Sequence, residues 1–295
     1  MRTIHSILLL CVASLIFVVQ AKESQLVVET PGKNIGLQLY SLRDAINDST
    51  IGIDSVIKAV GQMGYKYVET ANYSEGKIYD MSPEAFKAKI EDAGMSALSC
   101  HVRKDMEPDM DAVWAWWDQC IDVHKATGMQ FIVMPSMPTP KSIEQLQAFC
   151  DYFNQIGEKC NAAGLKFGYH NHDGEFKLMF PVGETDSISW YDYMVQNTDP
   201  AKVFFQLDVF WCQRGGRPAV ELFKQYPGRF DVLHIKDEKE LGVSGYMNFE
   251  DIFNNLDSST KYLIVEVERY NFFPSIKVSL DFLNNALFVK DDYSK

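Results

Sequence analysis

Residues 142–172 read SIEQLQAFCDYFNQIGEKCNAAGLKFGYHNH. The first part, Ser142–Ala163, carries apolar residues at helical spacing, and the last part, Leu165–His172, is a strand-like run. Gly164 stands between them, where a helix closing in a left-handed conformation needs a residue without a Cβ. The same punctuation recurs on the N-terminal side. Asp109–Thr127, with Val113, Trp116, Trp117, Cys120 and Val123 on a helical period, ends at Gly128. Gly64 and Gly94 close two further helical patterns. Ser82-Pro83-Glu84 opens one of these, with the serine as N-cap and the proline at the first helical position. The strand candidates are Asn34–Tyr40, Lys66–Thr70, Met95–His101, Met129–Met134, Leu165–His172, Val203–Asp208, Asp231–Lys236 and Lys261–Glu268. Strands alternating with helices predict a parallel sheet, and eight such units predict a closed (β/α)8 TIM barrel. An open doubly wound sheet is the competing α/β arrangement, but no GxGxxG follows the first strand. No linker, repeat or low-complexity tract divides the chain, so residues 34–290 are expected to form a single domain.

The composition agrees with a large core. Of 295 residues 46% are hydrophobic, 13% aromatic and 23% charged, which excludes a disordered, collagen-like or disulfide-stapled chain. The net charge of −12 argues against a nucleic-acid partner. Met1–Ser6 with Arg2, the apolar run Ile7–Val19 and the ending Val19-Gln20-Ala21 have the layout of a secretory signal peptide, residues 1–21. The expected address is across the inner membrane, in the periplasm, with no integral membrane segment in the mature chain. A lipid anchor on Cys11 is the lesser alternative, because that cysteine lies early in the run and follows the bulky Leu10. The remaining cysteines, Cys100, Cys120, Cys150, Cys160 and Cys212, show no metal or disulfide spacing and are expected to be buried free thiols.

Chemistry concentrates where strands end. In a (β/α)8 barrel the C-terminal strand ends face the active site. Those ends hold Gln38, Glu69, His101, the Tyr169-His170-Asn171-His172 run, Asp208, His234 with Lys236 and Asp237, and Glu266 with Glu268. Only His124 of the mature histidines sits elsewhere, mid-helix. Imidazoles and carboxylates converging from a rigid frame suit one divalent metal ion, with Mn, Co, Zn or Mg as candidates. His170, Asp208, His234 and Glu266 supply one ligand from each of the last four strands, although alternation leaves His172 as a rival to His170. Gln38, His101, Asn171, Trp211 and Glu268 are expected to meet the substrate. Trp114, Trp116 and Trp117 read first as packing and second as a sugar platform. Arg214 and Arg217 read as a solvated loop before an anion site, and Asp237 as a loop residue able to orient a ligand.

Several of these segments together resemble a known family. Phe167–Phe176, Leu207-Asp208-Val209-Phe210-Trp211, Leu233-His234-Ile235-Lys236-Asp237, Ile264-Val265-Glu266 and Ile35–Arg43 are similar to motifs of the sugar phosphate isomerase/epimerase group, the xylose isomerase-like TIM barrels. The resemblance implies one divalent metal held by His170, Asp208, His234 and Glu266. Many members of the group carry a glutamate at the position of His170; this chain matches the branch with the Tyr-His-Asn-His run. In the epimerases two glutamates flank the substrate carbon as its acid and base, and a metal-bound imidazole cannot accept a proton. Glu266 then remains as one base, with His172, Lys236 or Glu69 as the second group. The implied chemistry is proton removal next to a sugar carbonyl, giving an isomerase or epimerase acting on an unphosphorylated keto-sugar. The same intermediate serves a lyase that eliminates the aglycone from a 3-keto-glycoside. A non-catalytic carbohydrate-binding barrel is the alternative from another class, and a DNA-repair-type phosphodiesterase is disfavoured by the acidic chain. The expected partner is a small-molecule carbohydrate, with a homo-oligomer left open.

Overall fold

A computed structural model of the chain describes Gly32–Glu268 and Phe272–Lys295. The expected signal peptide and cleavage point, and Cys11, lie outside the described residues. Eight parallel strands close into a barrel: β1 Gly36–Gln38, β2 Tyr67–Thr70, β3 Ser96–His101, β4 Phe131–Met134, β5 Lys166–His170, β6 Val203–Asp208, β7 Val232–Ile235 and β8 Tyr262–Val265. β1 pairs with β8 in parallel and completes the ring. The expected fold class, a (β/α)8 barrel in one domain, is what forms. The main helices between strands are α1 Gly52–Met63, α2 Pro83–Asp92, α3 Met110–Thr127, α4 Ile143–Ala163, α5 Trp190–Asn197, α6 Ala219–Gln225, α7 Phe249–Asn254 and, after β8, α8 Phe272–Asn285. None of the described helices is long and apolar enough to cross a membrane.

Local chemistry places these elements. Ser82, Asp109 and Ser142 each accept a backbone N–H in the first turn of α2, α3 and α4. Gly128 and Gly164 end α3 and α4 with φ of 83° and 84°, a conformation that costs other residues about 1–2 kcal/mol. Observed strands are shorter than the expected strand segments. Leu39–Leu42 leaves β1 as a 3-10 turn, begun by Tyr40 N–H donating to the Gln38 side chain. Likewise Glu266 and His172 lie just beyond β8 and β5. The five cysteines expected to be free are free and buried.

The core has two parts. One lies between the barrel and its helices and includes Trp117, Phe153, Phe167 and Leu280. The other is a compact cluster of Tyr67, Leu98, Phe131, Val133, Phe204, Val232 and Ile264. Tyr67, Phe204, Val232 and Ile264 stand two residues before Glu69, Gln206, His234 and Glu266. Strand alternation therefore stacks a polar layer directly on an apolar plug inside the barrel. The plug needs glycine opposite its rings. A Cβ on Gly168 would sit 2.5 Å from the Phe204 ring, and one on Gly36 would sit 2.2 Å from the Tyr67 ring.

Candidate metal centre

The strand register brings the polar layer together. Gln38 pairs with Glu69, Glu69 with Ser99, His170 with Gln206, and Asp208 with His234. Ligand atoms of His170, Asp208, His234 and Glu266 all lie within 4.8 Å of one another, and all four residues are buried. Asp208 sits at the end of β6. Its Oδ1 accepts the N–H groups of Phe210 and Trp211, at 2.9 Å each, and so caps the short helix Val209–Arg214. Its Oδ2 is buried without a hydrogen-bond partner. Burial, with the Glu266 charge added and Lys236 opposing, pushes the Asp208 carboxyl up to about 7. Glu266 moves the other way: burial opposes its charge, but Lys236 and His234 hold it below the usual range.

The two histidines of this cluster differ. Burial, followed by the neighbouring His234, His101 and His172, drives His170 well below the ordinary imidazole value, so it is neutral and free to bind an ion. His234 spans two carboxylates, with Nε2 2.6 Å from Glu69 Oε1 and Nδ1 3.0 Å from Glu266 Oε2. Burial would lower its pKa, but Glu69 and Glu266 outweigh burial and raise it to about 10. Two imidazoles, two carboxylates and an unpaired buried oxygen fit a divalent metal ion. A cavity of about 440 Å³ opens beside this cluster. His101, His170, His172, Glu266 and Glu268 line it, together with Tyr40, Tyr73 and Trp116.

The other expected site residues separate into three groups. His172 faces the cavity, its ring 5.1 Å from that of His170 and 5.5 Å from that of Trp211, and burial lowers its pKa. Lys236 pairs with Glu268, lies 3.4 Å from Glu266 and packs over the Trp211 ring at 5.1 Å. Burial alone would lower the Lys236 pKa, yet Glu266, Asp208 and Glu268 raise it. Glu69, by contrast, is fully buried and withdrawn from the cavity. Its Oε1 meets Gln38 Nε2 at 2.8 Å, His234 Nε2 at 2.6 Å and His101 Nε2 at 2.9 Å, and its Oε2 accepts Ser99 at 2.6 Å and Gln206 at 2.7 Å. Gln38 and Asn171 are also fully buried. Gln38 is spent on Glu69 and Tyr40 N–H, and Asn171 brackets the Asp208 backbone with bonds of 3.0 and 3.3 Å.

Trp211 stands behind Lys236 and His172 and is not among the residues lining the cavity. Trp116 does line it, while Trp117 is core, so the tryptophan run divides between both readings. Arg217 is held by Asp192 and Arg214 by Asp173, as a structural loop requires. Asp237 ties its own loop through the N–H groups of Glu238 and Gly242 and the Ser244 hydroxyl. Sequence reasoning missed Gln206, Ser99 and Arg103. Gln206 and Ser99 stand two residues before Asp208 and His101 on the same strands, and that spacing was the available signal. Arg103 lines the cavity but is clamped by Asp105 with two bonds of 2.8 Å.

The sequence pattern of a family described as xylose isomerase-like TIM barrel matches residues 57–286. The chain belongs to that family. The expected resemblance is thus borne out at the family level. Two solved members from Parabacteroides distasonis, both described as sugar phosphate isomerase/epimerase, superpose closely. One has a TM-score of 0.81 at 31% identity over 89% of this chain and 97% of the other; the second has 0.79 at 33% over 88% and 100%. An inosose dehydratase from Geobacillus kaustophilus is 22% identical over 220 residues, 65% of this chain and 66% of that enzyme. The alignment thus spans just under two thirds of the dehydratase.

Proposed function

We propose that this family member is a divalent-metal-dependent carbohydrate enzyme that removes a proton next to the carbonyl of an unphosphorylated keto-sugar and then eliminates the aglycone of a 3-keto-glycoside. The observation that carries the reading is the buried, unpartnered Asp208 Oδ2 in reach of His170, His234 and Glu266. These four residues would hold a divalent cation, which would supply Lewis-acid stabilisation of the sugar carbonyl oxygen.

The chain's own groups supply the proton transfers. His172, lowered by burial, offers a neutral imidazole at the cavity wall as base for the C2 proton. Lys236 stays charged beside Glu266 and Glu268 and serves as proton donor. When C2 loses its proton, that electron pair forms the C1–C2 double bond and the C1–O bond breaks. The departing oxygen takes a proton and leaves as an alcohol. Both groups pack on Trp211 and so stand on one flank of the site. Acid and base on one flank suit elimination better than epimerisation, which needs acid and base on both faces of one carbon.

Size and charge support a neutral glycoside. At about 30 Å³ per heavy atom, the share of a liquid water, the twelve heavy atoms of a hexose need at most about 360 Å³. The cavity of about 440 Å³ has room beyond one ring. Arg103 is paired with Asp105 and Lys236 with two glutamates, so neither of these cations is left uncommitted for a phosphate. An address outside the cytoplasm, which the first twenty-one residues suggest, would also keep the enzyme from sugar phosphates. The dehydratase named above eliminates by its name, which supports this outcome. The isomerase/epimerase names of the two Parabacteroides proteins favour the second reading, in which the same proton abstraction ends in isomerisation or epimerisation.

One experiment separates them. Protein loaded with Mn²⁺ or Co²⁺ is incubated with 3-keto-glycosides and with free ketoses, and products are identified by mass and NMR. Aglycone release is expected. A rearranged ketose with no aglycone release would overturn elimination, and binding without any turnover would point to a carbohydrate-binding barrel.

A further inference from the structure

Two ligand sets overlap in this cluster. One is His170, Asp208, His234 and Glu266; the other is His101, His170 and His234. They differ in chemistry. The first offers two nitrogens and two oxygens, the second nitrogens alone, a set well suited to zinc. What separates them is a pair of oxygens at the centre of the barrel. His101 Nε2 lies 2.7 Å from Gln206 Oε1 and 2.9 Å from Glu69 Oε1. His170 Nδ1 lies 3.2 Å from the same Gln206 oxygen, and His234 Nε2 lies 2.6 Å from Glu69 Oε1. All three inner ring nitrogens are therefore turned onto acceptors and must donate. The Gln206 amide cannot be reversed, because its Nε2 donates to Glu69 Oε2 at 2.7 Å and a reversed oxygen would face a carboxylate. Ser99 and Gln38 complete the shell around Glu69, which is fully buried, as is Gln206.

We infer that Gln206 and Glu69 are positioning residues that select the metal set: by holding protons on the inner nitrogens they bar His101 from coordination and present His170 through Nε2 and His234 through Nδ1. The inference rests on the metal reading above. The ring N–H of a metal-bound histidine commonly donates to a carboxylate or carbonyl, and removing that acceptor typically costs 10–100-fold in affinity. Here the acceptors also choose between ion classes, since opening the inner site favours zinc over manganese.

Gln206→Leu keeps the bulk and removes the acceptor. Mn²⁺ and Zn²⁺ affinities are measured by chelator competition for wild type, Gln206→Leu, His101→Ala and the double variant, with thermal melting as the folding control. In wild type His101→Ala is expected to leave both affinities within about threefold. Gln206→Leu should weaken Mn²⁺ about 10–100-fold and Zn²⁺ less, and in that background His101→Ala should weaken Zn²⁺ about tenfold or more. Such coupling is what a double-mutant cycle isolates. A tenfold loss from His101→Ala in wild type would overturn the inference, and so would an unaltered Mn²⁺ affinity in Gln206→Leu. Wild type that binds neither ion would sink the metal reading along with it, so it is measured first. If Gln206→Leu fails to fold, ¹⁵N histidine spectra of Zn²⁺-loaded wild type decide. Protons on His101 Nε2, His170 Nδ1 and His234 Nε2 support the selection; coordination through any of these nitrogens refutes it.

Discussion

Asp208→Asn should make the metal-free protein more stable and leave it unable to respond to metal. The wild-type side chain has one oxygen committed to the cap of the Val209–Arg214 helix and one buried without a partner. Burial raises its pKa from 3.8 to about 7, so the folded chain binds a proton more tightly than the unfolded one between those values. Stability without metal therefore falls as pH rises from about 4 to 7. Roughly three units at 1.36 kcal/mol each set a ceiling of about 4 kcal/mol on that loss at neutral pH. Asparagine keeps the capping oxygen and removes the charge, while its amide recovers only part of the ceiling in the same pocket. We expect a gain of about 1–3 kcal/mol, which for a domain of this size means a rise in Tm of roughly 2–10 °C. Metal acts oppositely. A hundredfold excess over Kd stabilises wild type by about 2.7 kcal/mol through mass action, and this shift should vanish in the variant. The assay is thermal melting at pH 7.5 in chelator and then with Mn²⁺ or Zn²⁺. A chelated variant that melts below wild type, or one that still gains stability from metal, would show that the unpaired oxygen is not the ion's seat.

Three further outcomes follow from named contacts. His124 is buried in α3, its Nδ1 2.6 Å from the Cys120 carbonyl and its Nε2 unpartnered, and burial lowers its pKa from 6.5 to about 4. Between those pH values the unfolded chain takes a proton the folded chain refuses, so stability drops on acidification by up to about 3 kcal/mol; His124→Phe should flatten the difference in urea midpoints between pH 7.5 and 4.5, and an unaltered slope would refute it. Gly168→Ala forces a methyl group 2.5 Å from the Phe204 ring and should cost about 1–3 kcal/mol in urea unfolding, largely recovered by adding Phe204→Leu. Lys236→Met should lower kcat for keto-glycoside elimination about 10²–10⁴-fold with metal content unchanged; full turnover in that variant would remove Lys236 from the proton-transfer pathway.

How much of this was legible in the sequence depends on which interactions are local. Helix ends at Gly128 and Gly164 and starts at Ser82 and Ser142 were readable because capping is decided within four residues. The strands were found, but their ends were overrun at Tyr40, His172 and Glu268, because extended-looking sequence continues past the last ladder bond. His170, Asp208, His234 and Glu266 were readable because polar groups closing apolar strands stand out one strand at a time. Glu69 was visible for the same reason, yet its place beneath the cluster was not. It meets His234, 165 residues away, and Gln206, 137 away, only once the barrel has closed. Gln206 itself reads as a lone polar residue inside Val203–Asp208. What would have exposed it is a two-residue step back from the polar strand ends of β6 and β3. From Asp208 that step reaches Gln206, and from His101 it reaches Ser99. The next step, from Gln206 and from Glu69, reaches Phe204 and Tyr67, where the apolar plug begins. Polar pairs stacked on an apolar floor mark how deep the buried polar layer extends into the barrel. That depth, rather than the ligands alone, distinguishes a site built to hold protons in place from a rim of charged residues.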